Sequence, residues 1–348
     1  VELYFLDKNF QTICAPVDQA VSAVWSLRYG ECGNFSVHFP LSLADTEGIQ
    51  LLTLASSAVY LCDSTHCGRI ETTICKTGKL EVGGKLLECL LYDRVAVQKR
   101  QYTGTVDQVI LAAIGDWAAD IPLETDPLMP SIGSENTIFM AAGENLGKWI
   151  HKLLANYGAS YTIELNSLGQ PVFSLIVGTD RSIDNADGTS PAIFNEAYGN
   201  IASLEMECYR QEMVNRVYVE GSDGTVVLVD ISNGGPARET YKKAADISPT
   251  TYDSPEAYED ALREYGKYYL AMRGERRRFS CSVQWDASPV YGKDYRLGDV
   301  CEIQDEALSL QVAARLTAMD VVWEGGIQKL YPFFGDEIVR VSTMASLQ

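Results

Sequence analysis

The residue types best suited to metal or acid–base chemistry cluster once in this 348-residue chain, as Cys62, His66 and Cys67 in CDSTHC. A structural zinc site needs four ligands, and no second pair lies nearby, so a tight turn between two strands explains the spacing and no metal is expected. The run DRSIDNAD over 180–187 offers carboxylates like those of a calcium loop. Counting back from Gly188 as the sixth position puts Ile183 where the first acidic ligand belongs, so a solvated polar loop is expected. His151 falls between core positions of a helix and His38 beside aromatic residues of a strand, and each is expected to be a structural histidine. Arg276, Arg277 and Arg278 could hold phosphate or a partner carboxylate, although guarding a strand edge is the commoner role. With three histidines and no G-x-S-x-G, H-E-x-x-H or P-loop, the chain is assigned no catalytic, cofactor-binding or metal-binding residue and is not expected to be an enzyme. Paired carboxylates could hydrolyse a glycoside, but nothing marks two of the many acids as a pair.

Composition narrows the classes further. Hydrophobic residues make up 46% and charged residues 22%, ordinary for a folded protein, and the length calls for two to four domains. The net charge of −19 repels phosphate backbones, so stable nucleic-acid binding is disfavoured. An acidic lining would suit a conduit through which DNA slides, while solubility alone explains most of such charge. Nine cysteines, at 14, 32, 62, 67, 75, 89, 208, 281 and 301, are scattered through apolar runs and are expected to be buried free thiols. No twenty-residue apolar run occurs and VELYFLDKNF lacks a signal pattern, so synthesis in the cytosol without integral membrane contact is expected.

The elements that must position these residues are mainly strands. Residues 1–103 read as a small β-barrel, with strands at Glu2–Leu6 and Phe10–Cys14 and an aromatic hairpin whose sides are Ala23–Tyr29 and Phe35–Phe39. A helix is expected near Leu43–Leu52, strands near Ala58–Cys62 and Gly68–Lys76, and helical character in LLECLLYDR. Residues 104–199 form an α+β domain. It opens on a capping box, Thr105 with Gln108, continues with a helix over Glu144–Tyr157 that stops at Gly158, and ends in a hairpin around Leu168-Gly169. Residues 200–348 read as a second β-barrel, with Ile201–Tyr209 paired to Val214–Glu220, Thr225–Asp230 as a third strand, and a helical insertion around 232–275. Ser254-Pro255 starts the helix there, and Tyr258, Ala261, Leu262, Tyr265, Tyr269 and Met272 form its stripe. Strand Phe279–Trp285 follows. YGKDYRLGDVCEIQD over 291–305 then reads as a bent strand hinged at Gly298, with a partner strand around Arg315–Val322. LYPFFGDE reads as a Pro-interrupted turn, and Asp299 as a residue that fixes a turn.

Taken in order, WSLRYGECGNFSVHFP (25–40), LIVGTDRS (175–182), AIFNEAYGNIASLEMECYRQEMVNRVYVEG (192–221), YGKDYRLGDVCEI (291–303) and YPFFGDE (331–337) resemble the siphophage tail proteins of the ReqiPepy type. These are similar in turn to the baseplate hub proteins of contractile phages. The resemblance implies a structural hub in the virion, at the tail tip or baseplate. It implies a homotrimer whose two barrels per subunit make a pseudo-sixfold ring continuing the tail tube. Its partners would be the distal tail protein ring, the tape measure protein, and tip spike or receptor-binding components, with DNA passing through the lumen. Two other readings remain open: a peptidoglycan or glycan hydrolase of the tail tip, and a carbohydrate-binding module using exposed Trp or Tyr.

Overall fold

Strict alternation along Asn34–Pro40, with Phe35, Val37 and Phe39 buried and their neighbours partly or fully exposed, sets a two-residue period that only a half-buried strand satisfies. In the computed structural model, which describes residues 1–252, 254–284, 287–306 and 310–335, this strand pairs antiparallel with Ser22–Arg28 in the register Ala23↔Val37 and Trp25↔Phe35. The hairpin places Trp25 against Phe35 with ring centroids 5.1 Å apart. The chain is mainly β, with 42% strand and 19% helix.

The other edge of Ser22–Arg28 is paired with Leu310–Glu324, nearly three hundred residues later, in the register Trp25↔Val321 and Arg28↔Ala318. One continuous sheet therefore runs through the first and last β regions. Its order is Tyr4–Leu6, Tyr60–Cys62, Cys67–Lys76, Lys79–Leu86, Asn34–Pro40, Ser22–Arg28, Leu310–Glu324, Ile327–Gly335, Arg276–Gln284, Ala202–Tyr209. Val300–Asp305 branches from it by pairing with Leu310–Glu324, and carries the short strands Asp180–Arg181 and Ile193–Asn195 in parallel on its other side. A single apolar core serves both regions, with Phe5, Trp25, Phe39 and Leu80 packed in one cluster with Phe194, Tyr295, Ile303, Leu316 and Phe334. No closed barrel is found among the described residues.

A second core lies under the middle segment. Helix Val106–Trp117 contributes Val109, Ile110 and Ala113, and helix Leu146–Ala155 contributes Leu146, Ile150 and Leu154. Gln108 closes on Thr105 as the expected capping box requires, and Asn145, for which no cap is expected, caps the second helix. Gln108 Oε1 accepts from Thr105 N at 3.2 Å, and Asn145 Oδ1 accepts from Lys148 N at 3.1 Å. These helices pack on the hairpin Ala159–Leu165/Pro171–Val177 and on Leu6, Phe10 and Tyr60 of the first region.

The described residues fall into two compact units. The first comprises Val1–Glu205 with the described residues from Phe279 onward, and the second is Met206–Arg278. In the second, strands Val226–Asp230, Arg216–Gly221 and Glu239–Ala244 form a sheet covered by helix Pro255–Ala271. The buried helix positions are Tyr258, Leu262, Gly266 and Leu270. A Cβ at Gly266 would lie 2.6 Å from Val229 Cγ2, so glycine lets the helix approach the sheet closely.

Several expectations are corrected. Phe10–Cys14 makes only an isolated bridge, Leu6↔Thr12. Arg216–Gly221 pairs with Val226–Asp230 and Glu239–Ala244, while Ala202–Tyr209 lies beside Arg276–Gln284. Residues 291–299 are turns, not a bent strand, because Gly292 and Gly298 both take positive φ and Asp294 accepts a bond from Val290 N. Pro332 lies inside strand Ile327–Gly335, opposite Met319 and next to the bulge between Leu316 and Ala318, where the ladder is already interrupted. Trp285, Asp336 and Glu337 lie outside the described residues.

Candidate functional site

CDSTHC forms a tight turn braced by Asp63, whose Oδ1 accepts from Thr65 N at 2.7 Å and His66 N at 2.6 Å while Oδ2 lies 3.1 Å from His66 Nδ1. Burial pushes the Asp63 carboxyl up, but its bonds to His66 outweigh this and hold it below the usual carboxylate range. The turn sets Cys62 directly opposite Cys67, with Cα atoms 4.0 Å apart, and the two form a disulfide. This corrects the expectation of free thiols throughout, because the antiparallel register brings both sulfurs to one side of the ladder. Cys75 and Cys208 also depart from it, since they are free but exposed. With both sulfurs bonded to each other, Cys62, His66 and Cys67 do not converge as a ligand set, and no cluster of three or more potential ligands occurs among the described residues.

The other candidates are held by local bonds. In the 180–188 loop, Asn185 donates to Ser182 O and Thr189 O and accepts from Thr189 N, so the loop is braced on itself. His38 lies 2.9 Å from Ser22 Oγ through Nδ1 and 3.5 Å from Glu81 through Nε2. His151 is buried, stacks on Tyr161 at 4.2 Å, and burial lowers its pKa to about 4. In the arginine run, Arg277 pairs with Glu275 at 2.7 Å, and Arg278 lies 3.9 Å from Glu207.

Asp299 has the most developed environment. Its Oδ1 accepts from Thr179 N at 2.8 Å, and its Oδ2 from Arg181 Nε at 2.8 Å and Arg296 N at 3.0 Å. One carboxylate thus ties the 291–299 turns to the segment leaving the middle hairpin. Beside it, Arg315 donates to Gly298 O at 2.5 Å and its guanidinium lies 5.4 Å from the Tyr29 ring centroid. The Tyr29 hydroxyl donates to Gly158 O at 2.6 Å. A Cβ on Gly178 would come within 1.8 Å of Gly298 O, so these chains meet at backbone distance.

Thr179, Arg181, Arg296 and Asp299 of this junction line a cleft of about 740 Å³ inside the first unit. Its walls are the middle hairpin, the His66 turn and the 291–299 turns. Glu88 lies in its lining, 7% exposed, with Oε1 accepting from Thr162 Oγ1 at 3.0 Å. Burial raises the Glu88 carboxyl to about 7, and burial likewise raises Glu164 on the same wall. Sequence reasoning missed both. The available signal was a lone carboxylate inside the apolar run Leu86-Leu87-Glu88-Cys89-Leu90-Leu91.

A family model described as Siphovirus ReqiPepy6 Gp37-like protein matches residues 1–336. The chain belongs to that family. No curated protein matches it. Its fold is that of prophage tail proteins. A tail protein from Neisseria meningitidis MC58 is 12% identical and superposes with a TM-score of 0.61, covering 97% of this chain and 96% of that one. The 43 kDa tail protein of prophage MuSo2 from Shewanella oneidensis is 12% identical with a TM-score of 0.59, covering 96% and 97%. Prophage tail protein gp18 from Listeria monocytogenes EGD-e is 12% identical with a TM-score of 0.53, covering 97% and 95%.

Proposed function

We propose that this protein is a structural hub of a phage or prophage tail, located at the tail tip or baseplate, and that it has no catalytic role. The observation that carries the reading is the family membership over residues 1–336 combined with a shared fold across nearly the full length of two tail proteins, one of them from prophage MuSo2. Three copies would form a ring in which the first and last β regions occupy alternating, pseudo-sixfold positions and continue the tail tube. The modules used for this would be 1–103, 104–199 and 200–348, with the insertion around 232–275 projecting from the last. The continuous sheet from Tyr4–Leu6 to Ala202–Tyr209 supplies the stiffness such a ring needs.

In this reading the distal tail protein ring and tape measure protein lie above, and a tip spike or receptor-binding component below. A spike partner is favoured by fold similarity to a chain of the Francisella PdpA–VgrG complex, with 9% identity, a TM-score of 0.53, and coverage of 96% of this chain and 57% of that one. The acidic charge of −19 would let DNA pass the lumen without adhering. The test is mass photometry and negative-stain microscopy of the chain alone and with its distal tail protein. Three-copy rings are expected, and a strict monomer under both conditions would overturn the proposal.

A further inference from the structure

The cleft of the first unit has an uneven polarity that the hub reading does not use. At its lip, Lys293 and Arg296 lie within one turn of chain, both exposed. Among the described residues no ion pair ties either of them; Arg296 Nε donates to the carbonyl of Gly292 at 3.1 Å, and its charge is felt by Glu164. The lining also includes Glu88 and Tyr161, both buried, the half-buried Thr162, and the exposed Glu164. Two polar atoms there are buried without a hydrogen-bond partner, Glu88 Oε2 and the Tyr161 hydroxyl, on side chains 7% and 1% exposed. Other buried carboxylates of this unit, such as Asp63 and Asp299, are saturated with bonds. An unmade bond on a buried polar group is costly, and a donor arriving from the cleft would remove that cost.

We infer that this cleft binds a small zwitterion, an amino acid or short peptide, with its ammonium group against Glu88 and Glu164 and its carboxylate against Arg296 and Lys293. An ammonium brings three donors and no acceptor, which matches a wall offering carboxylate and hydroxyl oxygens. A carboxylate matches the guanidinium and ammonium of the lip. The volume falls in the range of ordinary small-ligand sites, and leucine, isoleucine and tyrosine side chains supply the apolar remainder. Because burial holds the Glu88 carboxyl above the usual carboxylate range, seating an ammonium against it also expels a proton.

The test is isothermal titration of the full chain with glycylglycine, N-acetylglycylglycine and glycylglycine amide, in two buffers of different ionisation enthalpy. Glycylglycine is expected to bind with proton release, and each blocked peptide at least about tenfold more weakly. In Glu88→Gln the penalty for acetylation should fall and proton release should vanish. In Arg296→Ala the penalty for amidation should fall while proton release remains. Absence of binding at millimolar peptide, equal binding of the three probes, or an unchanged profile in Glu88→Gln would overturn the inference. The readouts do not depend on ring assembly, so failure here leaves the hub reading intact, and the converse also holds.

Discussion

Replacing Glu88 by glutamine removes one titrating group from the first unit while keeping side-chain volume and the acceptor that Thr162 uses. Burial raises the folded carboxyl from its ordinary 4.5 to about 7. The folded chain therefore binds this proton more tightly than the unfolded one. Stability from this group is complete below the unfolded value and is lost as pH rises, with the loss ending just above 7. At 1.36 kcal/mol per tenfold change in proton affinity, the full loss is about 3 kcal/mol, most of which falls between pH 5 and pH 8. Urea unfolding followed by tryptophan fluorescence reads this directly, because Trp25, Trp117, Trp149 and Trp323 all lie in the first unit. Glutamine leaves an unpartnered amide N–H and so adds a constant penalty; the quantity to compare is the change with pH. The variant should gain about 2 to 3 kcal/mol on the wild type between pH 5 and pH 8. Parallel stability curves over that range would refute the assignment of Glu88 as a buried, proton-holding carboxyl.

His151 makes the opposite prediction, because burial lowers its pKa to about 4, so stability is present above its ordinary 6.5 and is lost as pH falls towards 4. His151→Phe, which keeps a ring against Tyr161, should shift the acid-unfolding midpoint to lower pH, and an unchanged midpoint would contradict it. Gly178→Ala places a Cβ 1.8 Å from Gly298 O and should cost about 3 kcal/mol or more, visible as a lowered Tm; a wild-type Tm would show that the junction yields easily. Cys62→Ser should cost about 2 kcal/mol from loop closure under oxidising conditions, and lose most of that difference from the wild type when dithiothreitol is present. A cost that persists in reductant would place the effect in packing.

What could be read from the sequence was whatever is decided within a few residues. Period-two alternation gave the Ser22–Arg28/Asn34–Pro40 hairpin, and cap chemistry gave the starts of Val106–Trp117 and Pro255–Ala271 at Thr105 and Ser254. What escaped was decided by partners distant in sequence. Strand Ser22–Arg28 carries the same alternation whether its free edge is bare or paired, so nothing local announces Leu310–Glu324 as its neighbour. Pro332 misleads for the same reason: its missing donor forbids a regular ladder position, but the adjacent bulge is a property of two strands. Stripe positions on Pro255–Ala271 were read from side-chain size, and the position that matters most for approach, Gly266, has none. Glu88 shows the limit most clearly. A carboxylate in an apolar run is costly by itself, and only the hairpin that brings Thr162 and Tyr161 against it turns that cost into a feature of a cleft. The same hairpin is anchored through Thr179 and Arg181 to Asp299, so the turn that carries the family resemblance also fixes the lip opposite Glu88. Scaffold and cleft are therefore coupled through one carboxylate. Any change that releases Asp299 is expected to loosen the continuous sheet and the cleft together.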